Sequence, residues 1–269
     1  MKEVKTSRKL TEAGLMLALA TILSLLKLFE LPYGGSITFA SMLPIVIFSY
    51  RHGFKWGLLA AVANGLIQVL LGLNMLSYAT SAAAVVAIIF LDYLFAFTSC
   101  VLGAAYRRVN NGGTGLALGA LCACVIRYLF HVISGCTVWA GLSIPTEDAL
   151  LYSISYNATY MIPETIVTVV AASFLGSVLD FRSADLIVRQ RGASSAGNVF
   201  GWLAGIVALA GVAVLAVMVF PHLQNAESGE FDITGLSAVD GRAVLIVAAA
   251  TVALAVIFLF IRRGASKKA

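Results

Sequence analysis

Charge is the scarcest commodity in this 269-residue chain: Asp, Glu, Lys and Arg make up 12% of it, against 60% hydrophobic residues. Soluble proteins carry about 25% charged and about 45–50% apolar residues, so a water-soluble globular enzyme and a disordered chain are both excluded. Cysteine is nearly as sparse. Cys100, Cys122, Cys124 and Cys136 all sit in apolar runs without the Cys/His spacing of a metal site, which excludes a disulfide scaffold and reads as unreactive thiols. There is no GxxxxGK[ST] phosphate loop, no HExxH and no intramembrane aspartate pair. Neither ATP hydrolysis by that loop nor zinc or aspartyl intramembrane proteolysis is therefore expected. The first apolar run continues into further apolar sequence rather than ending at a cleavage site, so no cleavable signal is expected.

Long apolar runs are present instead, near 11–29, 37–50, 54–73, 82–105, 114–140, 150–180, 199–220 and 243–261. A helix of about 20 such residues crosses about 30 Å of hydrocarbon. The runs are continuous rather than alternating, which excludes a strand barrel. The expected fold class is all-α: a polytopic membrane protein of eight helices, the second of them short and interrupted at Pro44. Fifteen of the 18 Lys and Arg residues fall on one side of this pattern. They are Lys2, Lys5, Arg8, Lys9, Arg51, Lys55, Arg107, Arg108, Arg182, Arg189, Arg191, Arg262, Arg263, Lys267 and Lys268. The opposite loops hold Glu30, Glu147, Asp148, Glu227, Glu230, Asp232 and Asp240. Positive residues stay cytoplasmic, so both termini are predicted to be cytoplasmic and the protein to lie in the plasma membrane. The polar stretch 182–198 reads as a cytoplasmic linker. It separates a six-helix unit, 1–181, from an appended two-helix hairpin with a basic tail, 199–269. In the hairpin, Gly201 and Gly205 form a small-xxx-small pair that could mark a helix contact.

Ionisable groups inside a bilayer cost roughly 2.5–3.5 kcal/mol each even on the mildest scale. Asp92, Arg127, His131, Glu164 and, nearer an end, Lys27 are therefore singled out. At about 1.5 Å of rise per residue, Asp92, His131 and Asn157 reach the outer half of the membrane from three different helices. Tyr93 follows Asp92, Trp139 lies about two turns beyond His131, and Tyr152, Tyr156 and Tyr160 surround Asn157. A carboxylate, a histidine, an amide and several rings suit a small, flat, cationic ligand with hydrogen-bonding groups. Structural alternatives stand beside this reading: Asp92 pairing with Arg127, Glu164 pairing with Arg127, and Trp139 and Tyr152 in an aromatic belt. With no ATPase motif and no visible inverted repeat, such a binding protein needs a partner to drive it.

Several stretches resemble a known family. Tyr33-Gly-Gly-Ser-Ile-Thr, Ser41-Met-Leu-Pro-Ile, Ser49-Tyr-Arg-His-Gly, Leu91-Asp-Tyr-Leu-Phe-Ala-Phe, Arg127-Tyr-Leu-Phe-His-Val-Ile-Ser-Gly and Tyr152-Ser-Ile-Ser-Tyr-Asn-Ala-Thr-Tyr-Met carry the resemblance. They are similar, over about residues 8–181, to the thiamine-specific substrate-binding (S) component of energy-coupling-factor transporters. The resemblance implies high-affinity thiamine binding and uptake by a non-enzyme without a cofactor. It also implies a membrane T component and two ATPase subunits as separate partner chains, and no nucleic acid. It assigns ligand contact to Asp92, Tyr93, Arg127, His131, Trp139, Tyr152 and Asn157, and docking on the T component to the small pair Gly14 and Ala18 of the first helix. Some members carry glutamate in place of Asp92, and some carry a lid tryptophan where this chain reads Gly34-Gly35-Ser36. The alternatives are an S component for another vitamin or pyrimidine precursor, and a membrane enzyme or accessory scaffold.

Overall fold

A run of Leu and Ala with no interior Gly or Pro beyond Gly14 sustains α1, Thr6–Leu25. The computed structural model describes residues 4–140, 149–183, 185–188, 195–223 and 232–267. Lys2, Glu147, Asp148, Arg189, Arg191, Glu227, Glu230, Lys268 and the middle of the 182–198 linker lie outside the described residues, as does the Arg263 side chain.

After α1 the chain does not continue as helix. Lys27–Glu30 (β1) and Ser36–Thr38 (β2) pair antiparallel, with Phe29 opposite Ile37 and Glu30 opposite Ser36. This corrects the helices expected over 11–29 and 37–50, each of which gives up one end to the hairpin. Between the strands the turn Pro32–Gly34 places Tyr33 at φ 63° and Gly34 at φ 92°. Gly34 adopts that left-handed conformation at little cost, whereas for Tyr33 it is strained. The Leu31 amide closes the turn on the Gly35 carbonyl at 2.6 Å. Composition averaged over twenty residues registers the apolar side chains here and misses the strands.

The second helix, α2 (Leu43–His52), has ten residues and is buried from Leu43 to Arg51. At about 15 Å it is half the hydrocarbon thickness, so it is an internal helix rather than a span. Pro44 sits in its first turn, where a missing N–H costs nothing. Gly53, at φ 85°, turns the chain into α3, Phe54–Leu71. There follow α4 (Ala82–Tyr106), α5 (Gly112–Thr137) and α6 (Ala149–Val178). The α5 N-terminus is capped by Asn111, whose side chain accepts from the Thr114 amide at 3.1 Å. Near it α5 and α6 touch backbone to backbone: a Cβ on Gly176 would lie 2.6 Å from the Gly112 carbonyl oxygen. Two short strands, β3 (Leu179–Asp180) and β4 (Ile187–Val188), follow α6.

At the basic end of these helices, the buried Arg51 guanidinium grips Glu12 of α1 at 2.7 Å and the carbonyls of Phe181 and Ser183 at 3.1 and 2.7 Å. Glu12 also accepts from Arg8 at 3.0 Å and meets His52 at 2.6 Å, and Arg8 reaches Asp185 at 2.8 Å. The segment after α6 is thereby tied to α1 and α2.

Contacts divide the chain into Met1–Val188 and Arg189–Ala269. The second unit consists of α7 (Ser195–Val219) and α8 (Gly241–Lys267) packed on each other. Where α7 meets α8, a Cβ on Gly211 would come within 2.3 Å of Thr251, while Gly201 faces the Arg262 side chain. Helices α3 to α8 are long and apolar enough to cross a membrane.

Candidate functional site

Asp92 lies in a π-helical stretch of α4. Residues Ala82–Ile88 are α-helical, Ile89–Phe95 wind as a π-helix, and Ser99–Tyr106 tighten into a 3₁₀ helix. A π segment shifts the facing of every later side chain and is frequent at functional sites. Here it turns Asp92 and Tyr93 into a cavity of about 220 Å³ lined from α3, α4, α5, α6 and the β1–β2 hairpin.

The Asp92 carboxylate is surrounded by donors. Oδ2 accepts from Ser134 Oγ at 2.7 Å and from Trp139 Nε1 at 3.0 Å, and Oδ1 meets His131 Nδ1 at 3.1 Å. Arg127 Nε donates to His131 Nε2 at 3.1 Å. A ring nitrogen that accepts carries no proton, so the His131 proton sits on Nδ1 and is donated to Asp92. The result is a one-directional chain from Arg127 through neutral His131 to Asp92. A carboxylate offers about four acceptor positions, so one remains on Oδ1.

This arrangement corrects both pairings considered for Arg127. It forms no ion pair with Asp92 or Glu164 among the described residues; its guanidinium covers the Phe97 ring at 4.4 Å and serves His131. Glu164 instead clamps the hairpin: its two oxygens accept from the Thr38 amide and hydroxyl, each at 2.6 Å. Lys27 pairs with Glu30 at 2.5 Å on the exposed hairpin rather than within a span.

The other expected site residues also line the cavity. Tyr93 donates its hydroxyl to the Gly72 carbonyl at 3.2 Å. Asn157 spends its amide internally: Nδ2 donates to the Ser153 carbonyl at 2.9 Å and to that of His131 at 3.3 Å. Its Oδ1 accepts from Tyr160 at 2.5 Å. Asn157 thus couples α6 to the backbone of His131. Trp139 stands just past the end of α5 rather than on it, because the Val138 and Trp139 amides both fold back onto the Ser134 carbonyl. Its ring is buried with Ile88 and Ala149, and Tyr93 and Tyr152 pack against them, so neither Trp139 nor Tyr152 is merely a belt residue.

Three contributors were not singled out from the sequence. Ser134 is one: it lies three residues after His131 on the same helical face, a signal that spacing alone could have raised. Tyr33 and Tyr78 are the others. Tyr33 sits in the hairpin turn edge-on to Tyr78 at 5.7 Å, and Tyr78 lies 6.2 Å from Trp139. The hairpin covers the cavity with a tyrosine where the glycines had suggested no ring. It is fastened by the Gly35 amide, which donates to Tyr156 Oη at 3.1 Å.

Four charged residues line the cavity: Lys27 and Glu30 pair with each other at the mouth, while Asp92 and Arg127 lie deeper. Arg127 is engaged with His131 and the Phe97 ring, so the Asp92 carboxylate is met only by neutral donors among the described residues. Gly14 and Ala18 stand apart from the cavity, exposed on α1, and a Cβ on Gly14 would meet nothing within 4 Å. No cluster suited to a metal ion occurs among the described residues.

Comparison with known proteins covers the same part of the chain. The family described as Thiamine transporter protein matches residues 10–181. Thiamine transporter ThiT of Bacillus subtilis (strain 168) is 29% identical over 187 residues, which cover 65% of this chain and 93% of that protein. A solved structure of ThiT from Listeria monocytogenes is similar in fold with a TM-score of 0.50 at 22% identity, covering 62% of this chain and 92% of that one.

Proposed function

This chain belongs to the thiamine transporter protein family, and we propose that its first 181 residues bind thiamine from outside the cell as the S component of an energy-coupling-factor transporter in the plasma membrane. The observation that carries the proposal is the Asp92 carboxylate, oriented by His131, Ser134 and Trp139 inside an aromatic-lined cavity. Thiamine has a permanently charged thiazolium and a pyrimidine bearing an amino group. An unpaired cation brought into low dielectric pays heavily for lost water. The Asp92 carboxylate, which neutral donors surround without cancelling its charge, offsets that penalty, and Trp139, Tyr93 and Tyr152 supply rings for stacking and cation–π contact.

The donors that surround Asp92 matter as much as its charge. They hold the carboxylate in one orientation before the ligand arrives, so little ordering cost remains on binding. Arg127 acts through His131 as a positioning residue. The hairpin covers the ligand, with Glu164 and Tyr156 fastening it to α6.

Transport needs work that this chain has no phosphate loop to extract from ATP. In the proposed cycle a T component and two ATPase subunits, as separate chains, supply it. The exposed Gly14–Ala18 stripe of α1 is the docking surface, since small side chains let helices approach closely in lipid. Both termini are placed on the cytoplasmic side, following the basic residues.

The test is the native ligand. The protein is purified from cells grown with the vitamin, and its retained small molecules are read by mass spectrometry. Thiamine at one equivalent supports the proposal. Another heterocycle, or no retained ligand together with no thiamine binding by calorimetry, contradicts it.

A further inference from the structure

A second concave site lies at the opposite end of α4. Arg107 follows Asp92 by fifteen residues, about 22 Å along a helix, and opens a groove of about 610 Å³. Its floor and walls are apolar, among them Leu102, Ala105 and Phe54, whose side chain is 60% exposed. Its rim carries three guanidinium groups, Arg107, Arg108 and Arg182, and no acidic residue lines it.

The three cations are unequally employed. Arg182 is held in place: it donates to Tyr50 Oη at 3.0 Å and to the backbone carbonyls of Val109 and Asn110. Arg107 reaches over the α2–α3 turn, with a guanidinium nitrogen 2.9 Å from where a Cβ on Gly53 would be. The side chains of Arg107 and Arg108 have no hydrogen bond or ion pair among the described residues. Three like charges with no ion pair among the described residues repel one another, so the rim favours an anion.

We infer that this groove binds the phosphate headgroup of an anionic phospholipid, with an acyl chain against Phe54 and Leu102. Both halves of the ligand are matched. The arginines stand immediately beyond a 25-residue apolar helix, at the level where headgroups lie, and basic pockets between membrane helices recognise such headgroups. A soluble phosphate would use the rim and leave the apolar wall unoccupied. The inference is independent of the ligand bound at the Asp92 cavity.

The full-length protein is relipidated with equimolar phosphatidylglycerol and phosphatidylcholine, and its retained lipid is read by native mass spectrometry. The wild-type protein is expected to retain phosphatidylglycerol preferentially, and R107Q/R108Q to lose about tenfold of that preference. The single variant Arg108→Gln, whose exposed side chain has no structural partner to lose, is expected to lose part of it. Lys55→Gln, which removes a charge that does not line the groove, is expected to lose none. Equal retention of both lipids by the wild type overturns the inference. So does a loss in Lys55→Gln as large as in the double variant, or displacement of the lipid by excess inorganic phosphate.

Discussion

Trp139 Nε1 donates to Asp92 Oδ2 across 3.0 Å, from a residue that has just left α5 to one on the π-helical stretch of α4. Two local irregularities, a fold-back at one helix end and a widened turn in another helix, are both required for this contact. The indole therefore has two separable features: a ring lining the cavity and a donor that orients the carboxylate.

Trp139→Phe keeps a ring and removes the donor. Thiamine affinity is expected to fall about three- to tenfold, less than the full cost of a hydrogen bond to a charged group, because Ser134 and His131 still hold the carboxylate. Trp139→Ala, which also removes the ring, is expected to lose more. Titration by calorimetry distinguishes them; equal affinities for Trp139→Phe and wild type would remove the indole N–H from the account.

Glu164→Gln replaces one of the two acceptor oxygens that hold Thr38 with an amide donor. The hairpin is expected to open more readily, so thiamine leaves faster while its on-rate changes little. Stopped-flow release into excess unlabelled ligand measures this, and an unchanged off-rate counts against the clamp.

Gly72→Ala addresses Tyr93. A Cβ there would stand 2.1 Å from Tyr93 Oη and 2.6 Å from its Cζ, so the ring must move and lose its hydrogen bond to the Gly72 carbonyl. Weaker thiamine binding is expected without loss of fold, as judged by an unaltered circular dichroism spectrum. Retained affinity would place Tyr93 outside the binding contacts.

Gly14→Leu tests the docking surface. The added side chain meets nothing in this chain, so thiamine binding by the isolated protein should be unchanged. ATP-driven uptake by the reconstituted complex should be abolished. Full uptake would show that α1 docks elsewhere or not at all.

The sequence made the site legible in part, and the reasons differ by residue. Asp92, His131 and Asn157 stood out because polar groups at one depth on three helices are costly unless used, and the structure brings them together. The π-helix was not legible, since its turn is widened by packing and no residue pattern announces it. Without it, pairing with Arg127 stands as the structural alternative for Asp92, and the observed bond to His131 is not anticipated. The hairpin was hidden because hydropathy registers Leu28, Phe29, Ile37 and Phe39 as apolar whatever their backbone does. The turn signal Pro32-Tyr-Gly-Gly marks the loop between the two runs but not the strands that flank it. For Glu164 the sequence offers pairing with Arg127 as one alternative, whereas backbone and hydroxyl donors of the hairpin, unseen in one dimension, satisfy it.

The most direct test of the central claim is a calorimetric comparison of thiamine binding to the wild-type protein and to Asp92→Asn. The substitution preserves shape, removes the charge and puts an amide nitrogen among donors from His131, Ser134 and Trp139. A loss of tenfold or more, about 1.4 kcal/mol, is predicted; equal affinity of the two proteins for thiamine would contradict the role given to the carboxylate.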